Sequence, residues 1–137
     1  MADFAAIQQL MARYCWAHDE RDLDLLAECF SKDVEMMGRS GRDDLIDLFR
    51  TGYADLKVKR RHIVTNMFLE EDGEAEAVLR SYITLYMIEN DQISLHLTCM
   101  YRDTVVFEDG AWRIRARDAQ PDVTYRPTDV KPELLSR

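Results

Sequence analysis

Apolar residues recur at steps of three and four in the first half of the chain and at alternate positions in the second half. The first pattern places the apolar side chains of the N-terminal segment along one face of a helix. That face comprises Phe4, Ile7, Leu10, Met11, Tyr14 and His18. The spacing therefore predicts a long amphipathic helix that ends within residues 19–22.

Two shorter helices are predicted after it. Asp22 is the expected N-cap of the second helix, and Ser40 with Asp43 fits the cap pattern that opens the third. Between these helices, residues 31–33 are expected to form a turn and residues 34–37 a short strand. The buried stripe of the second helix is predicted as Leu23, Leu26, Ala27 and Phe30, and the inner face of the third as Leu45, Leu48, Phe49, Gly52, Tyr53 and Leu56.

From His62 onward the apolar period is two, which is typical of strands. The predicted strands are residues 62–69, 75–88, 93–107 and 112–116. The turns between them are Asp72-Gly73, Asn90-Asp91 and Asp109-Gly110. Long strands joined by tight turns indicate a strongly twisted antiparallel meander. Helices first and strands afterwards indicate an α+β fold, with the helices packed on one face of the sheet.

Length and composition favour one globular domain. The chain has 137 residues, of which 47% are hydrophobic, too many for a disordered protein. We expect a core over about residues 3–118 and a polar C-terminal tail over residues 119–137, which contains Pro121, Pro127 and Pro132. No apolar run has the length of a membrane span, and the first residues lack the pattern of a signal peptide. Three singly spaced cysteines then indicate reduced thiols and a cytoplasmic location.

The formal net charge of −8 argues against a nucleic-acid-binding protein, which needs clustered cations. One basic run, residues 57–61, joins the third helix to the first long strand. We interpret it as a solvated connector. The alternative is that it serves an anionic group of a substrate or partner.

Two distant segments carry the candidate chemistry. Residues 14–22, at the end of the first helix, contain Tyr14, His18 and Asp19, and residues 61–66 contain His62 and Asn66. Together they could bring an imidazole, a carboxylate and a phenol to one apolar pocket. Such a set can move protons without a metal or an organic cofactor, and we therefore expect neither.

Each candidate also has an ordinary structural alternative. Asp19 follows Cys15 by four residues, close to the apolar face, so it could accept a hydrogen bond from His62 and orient the ring. Alternatively, it could simply end the helix. Tyr14 could polarise a carbonyl or stabilise an enolate, or it could be a core aromatic residue, and His18 shares this ambiguity. His62 could instead cap loop carbonyls. Alternation places Asn66 on the same face as His62, where it could orient a substrate.

The third histidine is excluded as a catalytic residue. In residues 93–101 the odd positions are apolar and should face the helices, so His96 should face solvent or a subunit interface. Without His96 no cluster with metal-ligand spacing remains, and no metal site is predicted. Most aromatic residues are expected in the core, although some could line a hydrophobic pocket. The aromatic residues proposed to contact a substrate are Phe49, Tyr53 and Tyr101.

Local sequences along residues 5 to about 118 show a family resemblance. They are Tyr14 with Asp19-Glu20-Arg21-Asp22, Arg61-His62 with Thr65-Asn66, and Cys99-Met100-Tyr101-Arg102-Asp103 before Asp109-Gly110-Ala111-Trp112-Arg113-Ile114. With this order of elements, the chain resembles the SnoaL-like, scytalone dehydratase-like branch of the nuclear transport factor 2-like superfamily. The resemblance implies a cone-shaped α+β barrel, in which helices and a strongly curved sheet enclose a pocket.

In the dehydratases of this branch, a pocket histidine matches His62, an orienting aspartate matches Asp19, and a tyrosine matches Tyr14. Scytalone-type enzymes have a tyrosine where this chain has His18. Gly38 stands where the first short strand of such enzymes tends to end in a tyrosine, and Leu85 lies where a further polar residue is expected.

The leading functional hypothesis is a cofactor-free lyase (dehydratase) or isomerase that acts on a small hydrophobic carbonyl or hydroxyl compound. Aromatic, polycyclic or steroid-like substrates fit the implied pocket. The alternative is a non-catalytic ligand-binding protein or a scaffold, because the chain also resembles the small subunits of aromatic ring-hydroxylating dioxygenases. Relatives commonly pair through the sheet, which implies a homodimer or homotrimer. Neither nucleic acid nor a membrane is an expected partner.

Overall fold

Residues 1–123 are described by the computed structural model, and within them three helices pack on one face of a six-stranded sheet. The elements in chain order are α1 (Phe4–Glu20), α2 (Leu23–Glu28), β1 (Phe30–Met36), β2 (Arg39–Ser40), α3 (Arg42–Asp55), β3 (Lys59–Glu71), β4 (Glu76–Glu89), β5 (Gln92–Glu108) and β6 (Ala111–Pro121). The strand order is β2-β1-β6-β5-β4-β3. This architecture confirms the predicted α+β fold.

A side-chain cap begins the first helix, and a residue in the left-handed conformation ends it. The Asp3 carboxylate accepts a hydrogen bond from the Ala6 amide at 3.0 Å and begins α1. At the other end Arg21 adopts a left-handed conformation with φ 59°, which turns the chain. Asp22 then caps α2 as predicted, because its side chain accepts from the Leu25 amide at 3.0 Å. The predicted apolar face of α1 is buried, apart from the partly buried Phe4.

The first strand begins earlier than the sequence pattern indicated. Residues 31–33 lie within β1, so the predicted turn there is wrong. Two hydrogen bonds hold these residues in the sheet. The Glu108 carboxylate, at the end of β5, accepts from the Ser31 hydroxyl at 2.9 Å and from the Lys32 amide at 3.1 Å. Strand β1 pairs in parallel with β6, a long-range contact that local periodicity cannot indicate.

Helix α3 forms as predicted, but its start differs. Its N-cap is Gly41, whose φ of 91° suits glycine, and no side chain caps the helix. The predicted Ser40 cap is therefore wrong. Asp44 instead accepts from the Ser40 amide at 3.3 Å and from the Arg39 guanidinium at 3.0 Å, which ties the first turn of α3 to β2.

Strands β3 to β6 form the predicted antiparallel meander. Asn90 and Asp91 both have positive φ at the β4–β5 turn, and Asp109 with Gly110 does the same at the β5–β6 turn. Four register shifts interrupt these ladders. Two lie in β3, between Thr65 and Phe68 and between Leu69 and Glu71, and the others are at Leu85/Tyr86 opposite β5 and at Thr104/Val105 opposite β6. A bulge bends its strand and increases the local twist.

Because of these shifts, the side-chain directions that alternation predicted are wrong in one part of β3 and one part of β5. Asn66 sits in the β3 irregularity with φ 54° and is exposed, so it does not share a face with His62. In β5, Ile93 and Leu95 are 68% and 60% exposed, because the shift beside His96 reverses the alternation there. Only from Leu97 onward do the odd positions of this segment pack toward the helices.

Strand β6 continues to Pro121, past the predicted core boundary near residue 118. After it, the Asp122 amide donates to the Thr98 carbonyl at 3.1 Å and holds the chain against β5. The remainder of the predicted tail, residues 124–137 with Pro127 and Pro132, lies outside the described residues. None of the helices within residues 1–123 is long and apolar enough to cross a membrane.

Candidate active site

A cavity of about 560 Å³ lies between α1, α3 and the sheet. Its wall is mostly apolar and aromatic, with two guanidinium groups and one imidazole. The lining residues are Tyr14, His18, Met36, Met37, Leu48, Phe49, Gly52, Tyr53, Leu56, Arg60, Tyr101, Arg117 and Ala119. A cavity of this size and character suits a small hydrophobic molecule with a few polar groups.

Asp19 holds His62 with both carboxylate oxygens. Its Oδ1 accepts from the ring Nδ1 at 2.5 Å, and its Oδ2 accepts from the backbone amide of the same residue at 2.8 Å. Both side chains are buried, with 6% and 7% of their surface exposed. A carboxylate can only accept, so Nδ1 carries the hydrogen and a neutral ring presents a free electron pair at Nε2.

Neighbouring contacts join the end of α1 to the start of β3. The Arg21 guanidinium donates to the Val58 carbonyl at 3.0 Å, and Arg61 pairs with Glu20 at 3.3 Å. These contacts flank the Asp19–His62 pair on both elements. The acidic residues in the last turn of α1 therefore join the helix to β3, and the carboxylate meets the imidazole across 43 positions of sequence.

His18 lies in the cavity wall next to this pair. Its ring centroid is 4.7 Å from that of His62, and it also packs edge-on against Phe49 at 5.1 Å. Its Nδ1 shares a short hydrogen bond with the Tyr53 hydroxyl. Burial lowers the pKa of His18 well below its usual value, and electrostatic interactions with His62, Arg60 and Arg117 lower it further.

Tyr53 keeps its phenolic proton, because burial raises its pKa. A phenol can both donate and accept, so its hydrogen bond with Nδ1 of His18 is compatible with either tautomer of the imidazole. When Tyr53 donates to Nδ1, the neutral His18 ring carries its own hydrogen on Nε2 and can donate it into the cavity.

Arg117 is a buried cation in the wall beside Tyr14 and Tyr101. Its Nε and Nη2 donate to the two oxygens of Asp103 at 2.7 and 3.0 Å, with 4% and 0% of the two side chains exposed. The guanidinium carbon lies 3.8 Å from the centroid of the Tyr101 ring and 4.5 Å from that of Tyr14. Burial acts to lower the pKa of Arg117, but Asp103 and the phenols raise it well above its usual value.

Arg60 supplies the second cation of the wall. Its guanidinium carbon lies 6.0 Å from the centroid of the Tyr53 ring. Its Nη2 is buried and has no hydrogen-bond partner among residues 1–123. Burial lowers the pKa of Arg60 from the usual arginine value. The interpretation of residues 57–61 as a solvated connector is therefore wrong at Arg60.

The structure places most of the residues predicted from sequence at or beside the cavity. Those in the wall are Tyr14, His18, Phe49, Tyr53 and Tyr101. His62 and Asp19 form the predicted pair but do not line the cavity, and His18 provides the nearest imidazole in the wall. Asn66 lies elsewhere, on a second cavity that also contacts Glu70 and Arg80.

Sequence reasoning missed the Arg117–Asp103 pair. One signal for it was present: Asp103 has the same parity as Cys99 and Tyr101, so the alternation places a carboxylate on the inner face. A buried carboxylate needs a cationic or hydrogen-bonding partner. Asp103 pairs with Arg117 across the β5–β6 ladder, which supplies that partner.

Within the described residues, no group of three or more His, Cys, Asp or Glu side chains is arranged to hold a metal ion. His96 is partly buried near the bulge of β5 and does not line the cavity. Burial lowers the pKa of His96, and the charge of Arg60 adds to that effect.

Comparison with known proteins identifies similar sequences and structures. A family model described as a SnoaL-like domain matches residues 1–118. A single-residue variant of Rv3472 from Mycobacterium tuberculosis, described as of unknown function, is 26% identical with a TM-score of 0.78, over 94% of this chain and 82% of that one. No curated protein matches the chain significantly.

Two further structures are each 25% identical to this chain. A provisionally named scytalone dehydratase from Novosphingobium aromaticivorans has a TM-score of 0.77, over 90% of this chain and 89% of its own. A protein from Catenulispora acidiphila, in complex with S-DNPA, has a TM-score of 0.75, over 87% of this chain and 92% of its own. These similarities extend across the helices and the sheet that build the cavity.

Proposed function

Because the chain belongs to the SnoaL-like domain family, we propose that it is a cofactor-free lyase or isomerase of a small hydrophobic carbonyl or hydroxyl compound. The observation that carries this proposal is the pair of hydrogen bonds that Asp19 accepts from His62, one from the ring and one from the backbone amide. It leaves Nε2 as the free basic atom of a buried ring beside an apolar cavity. Two similar structures, named as a scytalone dehydratase and as a complex with S-DNPA, support a small organic ligand for this cavity.

In the proposed dehydration, His62 Nε2 removes a proton from the carbon next to a carbonyl. The electron pair of that C–H bond forms an enolate, whose oxygen accepts a hydrogen bond from the Tyr14 phenol. The enolate then collapses, a carbon–carbon double bond forms, and the C–O bond to the β-hydroxyl breaks. The imidazolium returns its proton to the departing hydroxyl, which leaves as water. Isomerisation uses the same first step and returns the proton to a different carbon.

Asp19 and His18 have supporting roles in this mechanism. The Asp19 carboxylate keeps the Nδ1 hydrogen in place and stabilises the positive charge that develops on His62. In this mechanism Tyr53 donates to Nδ1 of His18, and His18 donates from Nε2 to an oxygen of the ligand. A single positioned base accounts for about 10²–10⁴-fold of rate. Orientation and stabilisation of the oxyanion supply the remainder.

The test uses a probe that requires only a base in an apolar cavity. When 5-nitrobenzisoxazole loses its ring C–H proton, the N–O bond breaks and a coloured cyanonitrophenolate forms. The protein should open this ring faster than buffer of the same pH, and His62→Gln should lose at least ten-fold of that rate. His96→Gln is the matched control and should keep it. A wild-type rate no higher than that of His62→Gln would refute the proposed base.

A second candidate function is ligand binding without turnover. It rests on one observation, that His62 is absent from the residues lining the cavity. In that case aromatic compounds would bind, and the His62→Gln substitution would change neither their affinity nor any rate.

We also propose that two or three copies of the chain associate through the outer face of the sheet. That face exposes large apolar side chains on β3, β4 and β5. They are Ile63 (44%), Phe68 (57%), Tyr82 (51%), Leu95 (60%) and Met100 (37%). Each copy has a net charge of −8, but beside these side chains Glu70 is paired with Arg80 and Arg102. Contact through this face therefore buries apolar surface without opposing the acidic parts of two copies.

A further inference from the structure

The charges in the wall of the cavity are all of one sign. Arg60 and Arg117 line it, and no aspartate or glutamate of the described residues does. The molecule as a whole has 26 acidic and 18 basic residues. A cavity whose charge opposes that of the protein is matched to an anion.

The two arginines differ in whether their hydrogen-bond donors already have acceptors within the protein. Arg117 is held by Asp103 through Nε and Nη2, so its position is fixed. Arg60 makes no ion pair among the described residues, and its buried Nη2 has no acceptor there. A buried donor without an acceptor is costly, and an oxygen of the ligand would satisfy it.

Both arginine charges act on a third residue of the cavity wall, His18. Arg60 and Arg117 each contribute to lowering the pKa of His18, which lies beside the catalytic pair of the proposed function. The rings of Tyr14, Tyr53 and Tyr101 surround the guanidinium groups. These rings offer flat apolar surface to the body of a ligand, and the arginines offer donors to its edge.

We propose that the cavity takes an aromatic or polycyclic compound that carries an anionic oxygen, a carboxylate or a phenolate, and that Arg60 and Arg117 bind this oxygen. This inference rests on the cavity of the proposed function being the ligand site, but it does not require turnover. It narrows the substrate class from any hydrophobic carbonyl or hydroxyl compound to an acidic one. Arg60 is then the specificity-determining residue that contacts the ligand, and Arg117 is the fixed half of the anion site.

The test compares two pairs of aromatic ligands of similar size, in each of which only one member carries an anionic oxygen. The first pair is 2-naphthoate and 2-naphthamide, and the second is 4-nitrophenolate, at a pH where it is ionised, and nitrobenzene. Isothermal titration calorimetry measures the affinity of each. We expect at least a ten-fold preference for the anion in one pair or both. A preference only in the first pair identifies a carboxylate ligand, and one only in the second identifies a phenolate.

The substitution Arg60→Met should abolish the preference for the anion while leaving the affinity for the neutral partner within about two-fold. Its matched control is Arg61→Met, which removes the adjacent arginine that pairs with Glu20 and does not line the cavity. This control should retain the preference.

Arg117→Met alone would strand the buried Asp103 and could prevent folding. The double variant Arg117→Met/Asp103→Leu removes both charges together and should also lose the preference. Equal affinity for charged and neutral ligands, absence of binding by all four compounds, or a preference that Arg60→Met retains would overturn the inference. The ring-opening assay with His62→Gln measures the proposed catalysis separately, so a failure of one test is distinguishable from a failure of the other.

Discussion

Asp19 contacts His62 at two points, because one carboxylate oxygen accepts from the ring Nδ1 at 2.5 Å and the other accepts from the backbone amide at 2.8 Å. The second contact sets the position of the strand, and the first sets the orientation and tautomer of the ring. One residue thus ties the end of α1 to the start of β3 and prepares the imidazole for proton transfer.

The substitution Asp19→Asn tests this arrangement. An amide can donate to Nδ1, which would move the ring hydrogen to Nε2 and remove the basic electron pair from the proposed reacting atom. We expect the rate of ring opening of 5-nitrobenzisoxazole to fall by about 10²–10⁴-fold. The ¹⁵N chemical shifts of the His62 ring should report the changed tautomer.

Asp22→Asn provides a matched control for that change. Asp22 caps α2, and asparagine is an equally good N-cap, so both stability and rate should stay near those of the wild type. A rate in Asp19→Asn equal to that of this control would show that the carboxylate does not assist the imidazole.

The buried Asp103–Arg117 pair predicts a strongly non-additive effect on stability. Asp103→Leu leaves Arg117 buried without its partner, so the free energy of unfolding should fall by about 3–5 kcal/mol. Asp103→Leu/Arg117→Met removes both charges and should recover most of that loss. Urea unfolding of the single variants and the double variant gives the coupling energy.

Asp47→Leu is a suitable control for the same measurement. Asp47 forms an ion pair with Arg50 on the surface of α3, where both side chains are largely exposed. Such a pair contributes about 0–1 kcal/mol, so this variant should unfold near the wild-type urea concentration. Equal losses in Asp103→Leu and Asp47→Leu would contradict the assignment of a buried pair.

The lowered pKa of His18 predicts loss of stability in mild acid. Below its usual pKa of 6.5 the unfolded chain binds a proton at His18 that the folded protein does not bind. Stability therefore decreases as the pH falls from about 6.5 toward 5, with a slope of up to about 1.4 kcal/mol per pH unit. His18→Gln should reduce this slope, as measured by urea unfolding at several pH values. His96, whose pKa is lowered as well, adds a smaller contribution that His96→Gln would remove. An unchanged slope in His18→Gln would show that His18 is protonated in the folded state.

The exposed apolar face of the sheet predicts a charge-sensitive oligomer. Tyr82 is 51% exposed and lies opposite Met100 in the register of β4 and β5. Tyr82→Glu places a charge within this patch, so sedimentation equilibrium should show a shift from dimer or trimer toward monomer. Trp16→Glu is the control, because Trp16 is 66% exposed but lies on α1, and it should leave the mass unchanged. A monomeric wild type at micromolar concentration would refute the proposed association.

Local patterns were sufficient to predict the α+β fold and the positions of the candidate residues at the end of the first helix and the start of the first long strand. Tyr14 and His18 share a helix face because they are four residues apart, and Asp19 follows directly. That spacing is a property of the chain alone. His62 was predicted as its partner from resemblance, and the contact depends on how α1 packs against β3.

The misplaced residues share a physical cause. Alternation predicts a face only while the register is continuous, and an extra residue in one strand reverses the side chains beyond it. The irregularity at Asn66 moved that residue out of the site, and the one beside His96 turned Ile93 and Leu95 to the outside. The position of Arg60 was not predicted, because the charge of the whole run of residues 57–61 indicated exposure to solvent. In the structure Arg60 lies on β3 and lines the cavity.

Helix α3 supplies Leu48, Phe49, Gly52 and Tyr53 to the wall of the cavity, whereas the Asp19–His62 pair comes from α1 and β3. Apart from Tyr53, these side chains have no hydrogen bond to the pair or to His18. The shape of the cavity can therefore diverge through substitutions on one helix while the proton-transfer residues stay in place. A single ancestral site of this kind could be adapted to new molecules by changing one surface of one element, without rebuilding its chemistry.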